Sequence, residues 1–508
     1  MRVSSDRFSE NARRALADRK LQDALSKATV RFMGVRANAF AQYPDGDAFR
    51  DHARRIKERT LAELDRYLGQ LADSVRRVGG TVHWAADAAE AREIIVGLAE
   101  RYQARLAVKS KSMTTEEIGL NEALAEAGVV PVETDLGEYI IQLAGEAPSH
   151  LIAPAIHKSR EDVTDLFVEK LGSPRLSRHE ELTHEARRHL REKFRRADMG
   201  ITGVNFAIAE TGSVVMVENE GNIRLSTSLP RVHVALMGME KVIPDLASLA
   251  VFLKILARSA TGQKMSSYVS VITGPRREGE EDGPEAFHLV VLDNGRSRLL
   301  ADPRLRESLY CIRCGACLNA CPVYRHAGGH AYGWVYSGPI GSVITPSLVG
   351  HERAAELPFA SSLCGACRDV CPVRINIPHL LLEQRSKIVS GEDGVPRRPW
   401  EQRMVRLFTY VMGSPARYRI ASRLSYWLSR PFVSDGVMSH PPGLSAWSRF
   451  RDFPAPAKET FRDRWARQRR SLRPPGGPSG PPAGPPTPKA TAGPAEAISN
   501  FTGGGGEE

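Results

Sequence analysis

The period of polar and apolar positions changes along the chain. Up to about residue 78 they recur at helical spacing, as in Glu10-Asn-Ala-Arg-Arg-Ala and Asp51-His-Ala-Arg-Arg-Ile-Lys-Glu-Arg-Thr-Leu, which predicts an N-terminal helical region with heavily charged faces. Short β-rich runs follow: Thr81-Val-His-Trp, Leu106-Ala-Val, Val129-Val-Pro-Val-Glu and His150-Leu-Ile-Ala. The stretches 86–103 and 114–127 between them have helical composition and period, so the alternation predicts a mostly parallel α/β sheet. From about 204 the strands come closer together: Asn205-Phe-Ala-Ile-Ala, Ser213-Val-Val-Met-Val, Val232-His-Val-Ala-Leu-Met, Tyr268-Val-Ser-Val-Ile and Phe287-His-Leu-Val-Val-Leu. The α/β domain is expected to span 79–297. The most apolar run, 246–257, is too short to cross a bilayer and carries Lys254, so it reads as a buried helix.

Composition sets the scale. A chain of 508 residues that is 42% hydrophobic can bury two or three ordinary cores, enough for a large domain and a smaller one. The tail from 472 to 508 holds 18 Pro or Gly among 37 residues, with Phe501 its one aromatic, and is expected to be disordered. The start, Met1-Arg-Val-Ser-Ser-Asp-Arg-Phe, lacks an apolar stretch before a cleavage site, so a cytoplasmic, reducing compartment is expected.

Charge is localised. Residues 397–473 carry 17 Lys or Arg against 5 Asp or Glu, an excess of 12, so the rest of a chain of net charge +11 sums to about −1. The segment 396–471 also holds Trp400, Trp427, Trp447 and Trp465, four of the six tryptophans. Arginines interleave there with Leu407, Phe408, Tyr410, Ile420, Leu424 and Trp427, which suggests basic helices with an apolar stripe. The stripe either packs on the protein's own body or docks on an acidic partner or the inner face of a membrane. No nucleic-acid motif accompanies the charge.

All seven cysteines lie within sixty-odd residues. Cys311-Ile-Arg-Cys314-Gly-Ala-Cys317-Leu-Asn-Ala-Cys321-Pro has the spacing that wraps an iron–sulfur cubane. Cys364-Gly-Ala-Cys367-Arg-Asp-Val-Cys371-Pro ends the same way with one thiol fewer. Two-residue gaps curl the chain around one cluster, and the last thiolate of each run crosses to the other. Crossing assigns Cys311, Cys314, Cys317 and Cys371 to one [4Fe-4S] cluster, and Cys321, Cys364 and Cys367 to a second. The second is one thiolate short, because Ser361 stands where an eighth cysteine would. It becomes a [3Fe-4S] cluster, a four-iron cluster completed by Ser361, Ser362 or solvent, or one completed by a partner; we favour a four-iron cluster with a non-cysteine ligand. Zinc fits poorly, since seven thiols do not divide into sets of four. A disulfide framework belongs to small secreted chains. These cysteines place a ferredoxin-type domain at 298–395.

Other motifs are weaker alone. Lys109-Ser-Lys-Ser-Met-Thr-Thr-Glu-Glu117 sits at a strand-to-helix junction, with Thr114 and Glu117 spaced as a capping box and two lysines beside a helix start; it is either an anion site or an ordinary capped loop. Arg313 and Arg368, one beside each cysteine run, either raise the cluster potentials or are solvated. The loop His326-Ala-Gly-Gly-His330-Ala-Tyr-Gly-Trp-Val-Tyr is expected to cover the clusters, with neither histidine a favoured ligand.

Together, Lys109-Ser-Lys-Ser-Met, Glu133-Thr-Asp-Leu-Gly-Glu-Tyr-Ile-Ile-Gln, Ile152-Ala-Pro-Ala-Ile-His-Lys, Gly203-Val-Asn-Phe-Ala-Ile-Ala-Glu-Thr-Gly-Ser, Asn219-Glu-Gly-Asn and the two Cys-Gly-Ala-Cys runs resemble the lactate-utilization iron–sulfur protein family of the LutB type, over about residues 60–465. The resemblance implies a LUD domain with a NagB/RpiA-like open α/β sheet, followed by an α-helical ferredoxin-like two-cluster domain. It also implies that seven cysteines are a family trait. It further implies work with two companion subunits, a cysteine-rich CCG-type protein and a second LUD protein, in oxidising L-lactate to pyruvate. No G-x-G-x-x-G fingerprint opens the α/β region, which favours an electron-transfer subunit without catalytic residues of its own. The alternatives are that the LUD domain itself binds substrate and catalyses, or that the chain serves another quinone-linked dehydrogenase.

Overall fold

The computed structural model describes residues 3–392, 399–438 and 451–471. The expectation for the 472–508 tail lies outside these residues. The chain forms two compact units, Met1–Arg397 and Arg398–Glu508.

The first unit opens with four helices, α1 (Phe8–Ala17), α2 (Arg19–Ala41), α3 (Gly46–Ala62) and α4 (Leu64–Arg77). Ten strands follow: β1 (Thr81–Ala85), β2 (Leu106–Lys109), β3 (Val130–Glu133), β4 (Met199–Gly203), β5 (Phe206–Ile208), β6 (Ser213–Glu218), β7 (Val232–Gly238), β8 (Val242–Ile243), β9 (Tyr268–Ile272) and β10 (Ala286–Leu292). Six form one sheet in the order β1-β10-β7-β4-β2-β3, every neighbouring pair parallel. All seven residues of β7 are buried, as expected of a parallel strand covered on both faces. Helix α5 (Ala88–Arg101) starts where the Asp87 carboxylate accepts the N–H groups of Ala89 and Glu90, and turns Ala91, Ile95 and Leu98 into the core on one face. The second sheet runs β8-β5-β6-β9, antiparallel except for β5–β8. The expected buried helix is Leu246–Ala260, and its Phe252 stacks on Phe206 at 4.9 Å.

Three local expectations are corrected. Central strand β4 belongs to no β-rich run, because Met199-Gly-Ile-Thr-Gly is weakened by two glycines that close packing demands. A Cβ on Gly200 would stand 1.8 Å from the Ser226 carbonyl oxygen, and one on Gly203 would stand 2.7 Å from Ser112 Oγ. Residues 150–153 are not a strand. There the His150 Nδ1 accepts the N–H groups of Ile152 and Ala153 at 3.1 and 3.2 Å, a local turn that competes with ladder pairing. Thr114 and Glu117 form no capping box. Ser112 caps the helix Met113–Glu117 by accepting from Thr115, Gly119 at φ +63° separates it from Leu120–Glu126, and Glu117 turns instead to Arg296.

One continuous apolar core runs from the N-terminal helices through the second sheet into the cysteine-bearing segment. It joins Leu25, Leu61, Phe206 and Phe252 to Leu318 and Tyr332. Among its described residues the second unit holds helices Pro399–Met412, Pro415–Ser429 and Phe461–Ser471, a 3-10 turn Arg430–Phe432 and a short antiparallel pair, Val437–Met438 against Phe453–Pro454. Its apolar stripe is exposed: Phe408 is 64%, Trp427 67% and Leu428 71% accessible. No helix among the described residues is long and apolar enough to cross a membrane.

Candidate metal centre and adjoining cleft

Each cysteine run folds the same way. The residue before the first Gly-Ala-Cys cysteine takes a left-handed conformation, Arg313 at φ +60° and Leu363 at φ +55°, and the glycine after it does so again, Gly315 at +75° and Gly365 at +88°. Successive turns of this kind aim backbone N–H groups inward and make an anion-binding concavity. Arg313 N–H donates to Cys311 Sγ and Ile375 N–H to Cys371 Sγ, both at 3.4 Å, while Ala316 and Ala366 present their N–H groups to Cys314 and Cys364.

Cys311, Cys314, Cys317 and Cys371 line one cavity whose other walls include Leu151, Ile340 and Ile377. Cys321, Cys364 and Cys367 lie close enough to interact electrostatically, and Cys317 is near enough to Cys367 for the two groups to be neighbours. Burial pushes the Cys314 and Cys367 thiols up to about 12 and Cys371 to about 11, so these thiols stay protonated at neutral pH unless a metal ion displaces the proton. Cys364 differs. It is exposed, and the Ala366 N–H followed by the Ser362 hydroxyl lowers its pKa. Four thiols around one apolar cavity, three of them buried, with N–H groups on three of the sulfurs, fit an iron–sulfur cluster.

Ser361 is half-buried and its Oγ accepts from the Leu363 N–H at 3.1 Å. The two flanking arginines separate. Arg368 is exposed, whereas the Arg313 side chain is 12% exposed, lies 4.4 Å over the Tyr336 ring and has Nη2 3.6 Å from Glu240, with Nη1 buried and unpartnered. Simple solvation is therefore excluded for Arg313. His326 meets Gln22, and His330 donates to the Ala147 carbonyl at 2.7 Å; neither lines the sulfur-bearing cavity. Tyr332, Trp334 and Tyr336 of the covering loop are buried.

Sequence reasoning missed the clamp on the second run. Arg36 donates to the Val370 carbonyl at 2.8 Å, Arg50 Nη2 to the Cys371 carbonyl at 2.9 Å and Arg54 to the Arg374 carbonyl at 2.7 Å. Arg50, Arg54, Lys57 and Leu61 fall at helical spacing on one face of α3. The helical spacing was visible, but nothing in it points to carbonyls more than 300 positions away.

A second network joins the sheet to the cysteine segment. The Arg296 guanidinium donates from Nη1 and Nη2 to the two oxygens of Glu117 at 2.9 and 2.8 Å and from Nε to Glu240 at 2.7 Å; the Tyr336 hydroxyl adds a donor to Glu117 at 2.6 Å. Lys57 donates to the Glu240 carbonyl. Burial would raise the Glu240 carboxyl, but Arg296 and Arg313 outweigh it and hold the group at about 2. Arg296 and the largely covered Arg313 thus balance two buried carboxylates beside Cys311, while burial lowers the pKa of Lys57 to about 7 and that of Lys241 to about 8.

The junction after β2 divides its lysines. Lys109 is fully buried and paired with Glu133 at 2.6 Å, a structural ion pair, while Lys111 lines a cleft. That cleft opens at the C-terminal ends of the parallel strands, between Ser112, Asp135, Gly203 and Lys241 on the sheet and Arg313, Cys314 and Tyr336 on the cysteine segment.

An α/β sheet domain joined to a helical cysteine-rich segment defines the class, a LUD domain protein with a dicluster iron–sulfur domain. Residues 68–292 match the family model for the LUD domain, 307–375 that for the 4Fe-4S dicluster domain and 382–470 that for the C-terminal region of lactate utilisation protein B. The chain is 45% identical over 471 residues to Lactate utilization protein B of Lysinibacillus sphaericus (strain C3-41), covering 92% of this chain and 98% of that one. It is 46% identical over 464 residues to Lactate utilization protein B of Bacillus cereus (strain AH187), covering 91% and 97%. The chain belongs to the lactate utilization protein B family. A solved DUF162 family protein from Deinococcus radiodurans aligns at 14% identity with a TM-score of 0.26, over 45% of this chain and 98% of that one.

Proposed function

We propose that this chain is the iron–sulfur electron-transfer subunit of a complex that oxidises L-lactate to pyruvate. The observation that carries the reading is that Cys371, from the second run, shares a cavity with Cys311, Cys314 and Cys317 of the first. Membership of a family whose relatives are named for lactate utilization supports the substrate. In this reading those four thiols hold one [4Fe-4S] cluster, while Cys321, Cys364 and Cys367 hold a second with a non-cysteine fourth ligand. A [3Fe-4S] cluster is the alternative there. Such clusters, when bound, store and release single electrons at potentials set by their surroundings. The chain's own part is to fix and tune them. Arg50 anchors the Cys371 carbonyl, backbone N–H groups and Arg313 stabilise negative charge, and Tyr332 and Trp334 exclude water. Ser361 is held in a backbone turn, which favours Ser362, solvent or a partner group near exposed Cys364 as the missing ligand.

The partners in this reading are a cysteine-rich CCG-type protein and a second LUD protein, at a cytoplasmic location, with the basic second unit facing a partner or the membrane. We retain the sequence-derived division into 1–78, 79–297, 298–395 and 396–471 as its working map. Anaerobic iron counting with Mössbauer and EPR spectra should give two clusters in the wild type, and Cys371→Ser should degrade one. The isolated chain should not oxidise L-lactate with an artificial acceptor; adding the companions should start turnover. Turnover by the chain alone would refute the proposal and make the LUD domain catalytic.

A further inference from the structure

The cleft between the parallel sheet and the Cys311–Cys314 turn has no part in the electron-transfer reading. It lies where open α/β sheets gather ligands, beyond the carboxyl ends of the strands. Its acidic side chains, Asp135, Glu218 and Glu220, are held by backbone N–H groups, and burial raises Glu218 and, with Asp135 beside it, lifts Glu220 to about 7, which lessens their negative charge. The Asp135 carboxylate accepts the Glu138 N–H at 3.2 Å, Glu218 accepts from Ile223 and Arg224 at 2.7 and 3.0 Å, and Glu220 accepts from Leu136 at 3.0 Å. Arg313 is paired with Glu240, but two of the cleft's cations make no direct pair, although Lys111 acts on Glu138 and Glu220 from a distance. Lys241 is only 8% exposed, yet its ammonium makes no hydrogen bond or ion pair among the described residues, and neither does that of less buried Lys111. The Lys241 ammonium is open to the cleft while the rest of the side chain is covered, so a bound anion would supply the partner it lacks. Burial lowers Lys241 to about 8; among the charges around it Glu240 acts most strongly, followed by Arg313, Cys311 and Arg296. The lining also offers apolar contact from Met113, Leu151, Ile152 and Ile223. Leu151 and Cys314 line both this cleft and the sulfur-bearing cavity, so an occupant would sit one side-chain layer from that cavity.

We propose that the cleft binds a small carboxylate, with its carboxyl group on Lys241, Lys111 as a second cation and its carbon skeleton against Leu151 and Ile152. The choice of acid rests on the functional reading above, which makes L-lactate and pyruvate the first probes; the anion site itself does not. The test is isothermal titration of the anaerobically purified, cluster-loaded full chain with L-lactate, pyruvate and inorganic phosphate, without companion subunits. Saturable binding of at least one carboxylate is expected, together with a change in the EPR line shape of the reduced protein. Lys241→Met should weaken binding by about ten-fold or more, the loss of one charge-assisted contact, while Lys241→Arg keeps it within about three-fold. Lys111→Met should weaken it less and serves as the second variant if Lys241→Met fails to hold its iron. Heat absent with both acids, phosphate bound more tightly than either, or affinity unchanged in both methionine variants would overturn the site. Because binding is read on the isolated chain, its failure is separate from a failure of electron transfer in the complex.

Discussion

Glycines 200 and 365 show how differently one residue type is constrained in this chain. Gly200 meets a backbone carbonyl, which cannot swing away, so Gly200→Ala should cost about 3 kcal/mol or more. Gly365 at φ +88° has open space around its missing Cβ, so Gly365→Ala should cost only the left-handed backbone term, about 1–2 kcal/mol. Urea unfolding of the two variants checks the ordering. Cysteines were legible in the sequence because their chemistry fixes both residue type and spacing. Arg36, Arg50 and Arg54 were not, because each acts on a carbonyl more than 300 positions away and no local pattern announces it.

Among elements, strands whose apolar residues run together were legible, and β4 was not, since its glycines answer to Ser226 and Ser112 rather than to strand propensity. The turn at 150–153 was misread because a histidine ring supplies the acceptor that strand pairing would have supplied. The buried strands carry a titration that follows from their position. His233 on β7 is fully buried, contacts Thr202 on β4 at 2.8 Å and is held neutral by burial down to about 3. As pH falls below about 6.5 the unfolded chain takes up a proton that the folded chain refuses. Stability from this group is therefore complete above about 6.5 and declines by about 1.4 kcal/mol per pH unit below it, until the folded ring titrates near 3. Urea titrations at pH 6.5 and 5.5 should show a smaller decline in a Thr202→Val/His233→Leu double variant than in the wild type; equal declines would exclude His233 as the cause.

At the scale of the whole molecule, the family resemblance was readable from motifs in their order, while the merging of the N-terminal helices and the cysteine segment into one core was not, since it depends on contacts between distant segments. The second unit invites removal. With its aromatic stripe exposed and its charge strongly positive, deleting 399–471 should leave iron content intact and abolish assembly with the companion subunits or adsorption to vesicles of anionic lipid, read by size-exclusion chromatography and co-sedimentation. Retention of both would show that the surface is idle. The unequal burial of the thiols has a consequence for handling the protein. Cys364 lies open at the surface while Cys314, Cys317, Cys321, Cys367 and Cys371 are covered. With Cys311 half-covered, Cys364 is the most open route for oxygen and chelators. A subunit that closed over Cys364 would then act as an antioxidant shield, and fragility toward air would be expected chiefly of the solitary chain.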